Sequence, residues 1–368
     1  MNKKFLVVCF MIFMCTSALI GCDFNVGFNQ NIEVKQTESA EFSKDINKIS
    51  INSSSTDIKI IITKEDEIKA NLYGTASSEK IVPELKIKVE KEEVNISIDY
   101  PKVVSSGSSS IDLDVYIPEK YNNDLAIRTS SGDINIEEIE LSNFKGESTS
   151  GDYKINDMTA KDISIKTSSG KVTLGNIEAA NFNRISTSGD SIIENIKSEE
   201  IVIKSSSGKV EINSIIADVL KGKSTSGDYY LNEVVSEEVE INASSGKVTF
   251  DKLLSQTTKS KATSGDLKIK EFKGDLIVER SSGNTQVKWI EFKNKVEIDS
   301  ASGDVILDLP KNAQFKVEFK GGSGEHDIDF PIKINGEVDE SEIKGAVGES
   351  DNLIKVRTSS GDLRINKR

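Results

Sequence analysis

The chain of 368 residues has few of the side chains on which catalysis usually rests. It holds a single histidine, His326, and its three cysteines, Cys9, Cys15 and Cys22, all stand near the N-terminus. A Ser–His–Asp triad would have to be built on His326. Beyond Cys22 there is no thiol to act as a nucleophile or to complete a zinc site. His326 stands two positions after Gly324, where comparable segments place Ile, Val or Leu, which suits a core edge better than a general base. Aromatic residues make up 6% of the chain, with one tryptophan, so stacking platforms for sugars or bases are scarce. There are only 5 prolines, and no stretch after the N-terminus sustains a 3.6-residue apolar period. Basic runs with interleaved aromatics are missing, and the net charge is −13, so neither nucleic acid nor anionic lipid is expected as a partner through simple electrostatics.

The N-terminus is the one long hydrophobic run. "MNKK" is followed by "FLVVCFMIFMCTSALI" and then by "LIGC", Leu19 to Cys22. That tetrapeptide resembles the bacterial lipobox. The resemblance implies a signal peptide over residues 1–21, cleavage before Cys22 and lipid on the Cys22 thiol; an uncleaved signal anchor is the alternative. Cleavage removes Lys3 and Lys4 and takes the formal charge from −13 to −15. The exported chain then keeps no cysteine for a disulfide. Residues 22–44 are polar and aperiodic and are expected to be a lipid-anchored tether. The expected location is outside the cell, anchored to the bacterial cell membrane by Cys22.

What the chain has in abundance is repetition. Ser-Gly steps fall at Gly132, Gly151, Gly170, Gly189, Gly208, Gly227, Gly246, Gly265, Gly283 and Gly303. The first seven intervals are identical, and the last two are one shorter and one longer. Around each glycine, apolar residues recur at −7, −5, +2, +4 and, less strictly, +7, as in Ile163, Ile165, Val172, Leu174 and Ile177. Steps of two on either side of a glycine predict strand, bend and strand with one face buried, and β-branched residues suit that interior. The fold class is therefore all-β.

Two architectures share this pattern. One is a single-stranded β-solenoid, a right-handed β-helix of about 19 residues per coil with coils stacked about 4.8 Å apart. The other is an antiparallel hairpin meander with Ser-Gly as its turn. The residue after the glycine favours the solenoid. It reads Asp152, Lys171, Asp190, Lys209, Asp228, Lys247, Asp266. One repeat per coil stacks these as alternating charges, whereas two repeats per coil would stack like on like. The predicted surface ladder of opposite charges sets register more than it adds stability, since exposed pairs contribute about 0–1 kcal/mol each. Even units differ from odd ones at −5, where they carry Gly146, Arg184, Gly222 and Ser260, so coils are expected to alternate in width with a superperiod of two repeats.

The expected divisions are an N-terminal β section and cap over 45–123, the repeat solenoid over 124–310, and a C-terminal β section and cap over 311–368. "ISINSSSTDIKI" is a degenerate first unit with Thr56 in place of glycine, and "IKVRTSSGDLRI" is a last clean copy at Gly361. With "RTSSGDINI", "KTSSGKVTL", "LDLPKNAQFKVEF" and "GAVGESDNLIKVRTSSGDLRIN", the chain from about Ile46 to Asn366 resembles the bacterial "putative adhesin" family, a domain of unknown function built from Ser-Gly-Asp strand repeats. The resemblance implies a β-helical fold and carries over no catalytic residue. Lysine at 171, 209 and 247 departs from the usual Ser-Gly-Asp.

The expected function is a non-catalytic binding or adhesion module at the envelope, with a cell-wall glycan or a surface protein as partner. A scaffold or envelope-stress component bound to another membrane protein is the alternative. A β-helical polysaccharide-active enzyme is the third reading and would need surface aromatics such as Tyr153, Tyr229, Tyr230 or Trp289 beside clustered carboxylates. No cofactor and no metal are expected, because lysine in every second unit would repel a cation from an aspartate ladder.

Overall fold

The computed structural model describes residues 31–102, 107–334 and 341–368. Cys22 and the expected signal segment lie outside these residues. Each central unit is one long strand, such as Tyr153–Thr167, laid parallel on Val172–Ser186 with Tyr153 beside Val172 and Thr167 beside Ser186. A parallel register displaced by one repeat is that of a β-solenoid, and it rules out the antiparallel meander.

The inward side chains show how one strand closes a coil. In Tyr153–Thr167 they are Tyr153 and Ile155, then Met158 and Ala160, then Ile163, Ile165 and Thr167. A strand keeps one face at steps of two, so each step of three marks a corner. Asn156 and Lys161 drop out of the pairing at those two places. The third corner is Ser168–Lys171, and the coil is three-sided. Asparagines ladder the first corner: Asn176 Nδ2 donates to Asp157 Oδ1 at 2.6 Å, and Asn195 Nδ2 to Asn176 Oδ1 at 2.8 Å.

Glycine at the third corner is required by close approach and not by the bend itself. A Cβ on Gly170 would collide with the carbonyl oxygen of Gly151 in the preceding coil, and the same holds from Gly132 to Gly303. Within that series only Gly283 and Gly303 have positive φ.

The ends depart from sequence order. Thr56 takes the corner below Gly132, and Asp57–Thr63 lies between Ile134–Ser148 and Ser109–Pro118. Outside these, Glu67–Ala76 pairs antiparallel with Ser109–Pro118, and Ile32–Glu41 pairs antiparallel with Glu67–Ala76. Residues 32–41 were expected in the tether, and this strand corrects that expectation. It is held by buried Val34 and by Gln36, which accepts from Leu85 N at 2.8 Å and donates to Pro83 O at 2.7 Å. At the other end Leu353–Thr358 slots between Lys295–Ser300 and Phe315–Gly321, so the corner order is Gly303, Gly361, Gly324. An edge-to-face chain of Phe272, Trp289, Phe292, Phe315 and Phe330 fills that end, with ring centroids 5.2 to 6.1 Å apart.

Candidate functional site

The Ser-Gly corner runs along the rod from coil to coil, and its geometry follows from three neighbouring residues. The hydroxyl three before the glycine is buried and closes the turn: Thr167 Oγ1 donates to Gly170 O at 2.9 Å, and Ser205 and Ser224 do the same to Gly208 and Gly227 at 3.0 and 2.8 Å. The next two residues face outward. Their backbone is used, as where Ser169 N donates to Thr149 O at 2.8 Å. Among the described residues, no side-chain hydrogen bond engages the hydroxyls of this pair from Ser130–Ser131 through to Ser244–Ser245. Two exposed hydroxyl columns therefore run along the rod at about 4.8 Å per coil.

The residue after the glycine is exposed at 152, 171, 190, 209, 247 and 266 and half-buried at Asp228. The structure stacks all seven in one column, but it does not pair their charges. Asp152 Oδ1 accepts the backbone N–H of Lys171 at 2.7 Å. Asp190, Asp228 and Asp266 accept from Lys209, Lys247 and Asn284, each at 2.8 Å. Among the described residues, no ion pair joins Lys171, Lys209 or Lys247 to an aspartate of the column. Lys209 instead pairs with Glu211 of its own coil, which raises its pKa, and lies 4.7 Å from the centre of the Tyr230 ring. The expected ladder of opposite charges is a ladder of carboxylates on backbone amides. The reason is reach: an aspartate one coil below an unpaired N–H meets it directly, while a lysine extends into solvent.

A second column escaped the sequence reading. Four residues before the glycine stand Lys166, Lys204, Lys223 and Lys261, all exposed. Beside them an open groove of about 720 Å³ runs along the corner from Lys223 toward Arg357, floored by Ser224, Ala262 and Arg280. Arg280 is buried, its Nη1 on Gly265 O and its Nη2 3.0 Å from Ser260 Oγ, and burial pushes its pKa down to about 10. On another side Ile216, Val235 and Leu254 stack in successive coils above Ala179 and Ala217, with Ile216 and Val235 52% and 49% exposed. Both columns could have been found by comparing one repeat position across units.

The aromatics considered as sugar platforms are elsewhere. Tyr153, Tyr229 and Trp289 are buried in the core, and only Tyr230 reaches the surface, half-buried. His326 is half-buried with its ring 5.8 Å from Phe319. Among the described residues, no group of three or more His, Cys, Asp or Glu is placed to hold a metal ion.

Comparisons with known proteins bear on the family. A solved protein of Clostridium sporogenes described as a putative cell adhesion protein is similar at 13% identity, covering 92% of this chain and 100% of its own, with a TM-score of 0.20. A putative adhesin of Parabacteroides merdae is similar at 13% identity over 74% of this chain and 91% of its own, with a TM-score of 0.38. A putative adhesin of Bacteroides fragilis is similar at 15% identity over 67% and 97%, with a TM-score of 0.33. No curated protein matches the chain. The family model described as Toastrack DUF4097 matches residues 46–218 and 197–366, which together span the whole β body apart from its first strand and last residues. The chain belongs to the Toastrack DUF4097 family.

Proposed function

We propose that the chain is a non-catalytic binding module on the outer side of a bacterial cell membrane, held there by lipid on Cys22. The observation that carries this reading is the Ser-Gly corner, which repeats one polar contact coil after coil. Single contacts of this kind are weak, and a surface that repeats them gains by multivalency. The family likeness of the Ser-Gly-Asp phrases supports the same role. The first strand begins at Ile32. From Cys22 the chain therefore spans at most roughly 35 Å to the N-terminal end of the rod. That end faces the membrane, and the corner runs away from it.

The test is retention of the detergent-solubilised full chain on purified envelope polymers, with and without calcium. Saturable retention on at least one polymer is expected, with calcium making no difference. Failure on every polymer would overturn the reading in favour of a scaffold whose partner is another membrane protein.

A further inference from the structure

We propose that the Ser-Gly corner takes a linear phosphodiester-linked polymer, a polyol-phosphate or sugar-phosphate chain lying along the rod axis between the two lysine columns. The proposal deepens the binding reading above and rests on it.

The bulk charge of −13 conceals an uneven distribution around the coil. Before the corner glycine stand Lys166, Lys204, Lys223 and Lys261, with Ile185 and Asn242 between them and no acid. After it stand Lys171, Lys209 and Lys247. The same corner also carries Asp152, Asp190, Asp228 and Asp266, and further acids gather near the other two corners, at Asp162, Glu199, Glu200, Asp218, Glu237 and Glu238. The net charge argues against polyanions for the molecule as a whole, and this one edge reverses the argument locally.

Pairing separates the two groups of cations further. Away from the corner, Lys197 pairs with Glu178 at 2.6 Å, Lys221 with Glu200 at 2.6 Å and Lys259 with Glu238 at 2.9 Å. At the corner, Lys209 and Lys261 hold Glu211 and Glu279, but Lys166, Lys171, Lys204, Lys223 and Lys247 make no ion pair among the described residues. The corner aspartates accept from backbone N–H groups and keep their charge, so from Asp152 to Asp266 the columns before and after the glycine set seven lysines against four aspartates. A row of unpaired ammonium groups therefore flanks two columns of unengaged hydroxyls.

The chemistry of this row selects the anion. Lysine is a point charge and hydroxyls donate singly, a combination that suits phosphate oxygens. The fork that binds planar carboxylates is not presented between Lys166 and Lys261, since Arg184 and Arg280 are buried, and Arg357 at the far end of the groove is paired with Asp299. Shape selects the form of the partner. Lys171, Lys209 and Lys247 recur every second coil, about 10 Å apart, along one line. The groove that begins at Lys223 is open along the corner and is lined by Lys223 and Lys261 and, further along, by Glu279, Asp299 and Arg357.

The experiment measures binding of a fluorescent poly(glycerol phosphate) oligomer to the detergent-solubilised full chain over a range of salt. Binding is expected, weakening steeply as salt rises. The triple variant Lys166→Gln, Lys204→Gln, Lys223→Gln should bind at least tenfold more weakly with a smaller salt dependence and an unchanged melting temperature. The control Lys197→Gln, Lys273→Gln, on another side of the rod, should bind as the parent does. Equal binding by the triple variant, or tighter binding to a uronic-acid polymer or to phosphatidylglycerol vesicles, would overturn the proposal. Retention on another envelope polymer with no binding of poly(glycerol phosphate) would sink this inference and leave the binding-module reading standing. Retention on none would remove both.

Discussion

A Cβ on Gly146 would lie 2.6 Å from Cε1 of Tyr153, so the phenol ring fills the space that Ile165 occupies one coil later in the same register position. This relationship explains the two-repeat superperiod. Across the corner, even coils pair large with small: Gly146 with Tyr153, Arg184 with Ser191, Gly222 with Tyr229. Odd coils place two medium residues there, Ile165 with Val172 and Ile203 with Val210. The filled volume is kept while its source alternates, which is how a close-packed interior tolerates different sequences.

Gly146→Ile should therefore destabilise the rod by about 1–3 kcal/mol through overpacking. Tyr153→Val alone should cost about as much by leaving a cavity. The double variant recreates the odd-coil pair and should recover most of the loss. Thermal or urea unfolding of all four proteins checks this, and additive losses would contradict the pairing.

Arg184 is wholly buried with no carboxylate beside it. Its Nε donates to Ser191 Oγ at 3.1 Å and its Nη2 to Thr167 Oγ1 at 2.9 Å, and burial pushes its pKa down to about 10. Replacing Arg184 and Ser191 together by Ile and Val should stabilise the fold by about 1–4 kcal/mol. The gap should depend on pH with a fixed sign. Between pH 10 and the ordinary guanidinium value the unfolded chain binds more protons than the native one, so the parent gains stability as pH rises there. The advantage of the double variant should be full below pH 10 and shrink above it, as parallel melts would show.

Asp190→Ala removes the acceptor of the Lys209 N–H and should cost about 0.5–1.5 kcal/mol, while Asp190→Asn keeps the acceptor and should be close to neutral. High salt should leave both differences in melting temperature in place. Equal losses for the two variants, abolished by salt, would restore the ladder of opposite charges.

Cys22→Ala should move the protein from the membrane fraction to the soluble fraction with the melting temperature of the β body unchanged. Continued membrane association would point to an uncleaved anchor in place of the lipid.

The repeat was readable from the evenly spaced corner glycines, but the same spacing fits a hairpin meander, and the Asp and Lys alternation that favoured the parallel stack does not form ion pairs in the structure. The three-sided coil was half readable: the loose apolar position at +7, Met158 or Ile177, is the first inward residue after a corner, but its partner at +9 is Ala160, Ala179 or Ser198, too small to register as a core residue. The strand Ile32–Glu41 was hidden because an edge strand here buries only Val34. The glycines were seen for a reason that proved incomplete, since a neighbouring coil's carbonyl is invisible in the chain. The same holds for the aspartates, whose partners are backbone amides. The insertion of Gly361 between Gly303 and Gly324 leaves no local signal at all. The lysines at 166, 204, 223 and 261 were in plain view, but a bulk charge of −13 masks any one column.

Amide hydrogen exchange of the full chain, with and without a saturating envelope polymer, tests the account most directly. Protection confined to the Ser-Gly corner and its lysine columns, across several successive coils, is the expected result. Protection centred on the acidic corners, or on the Ile216–Val235–Leu254 stripe, would contradict it.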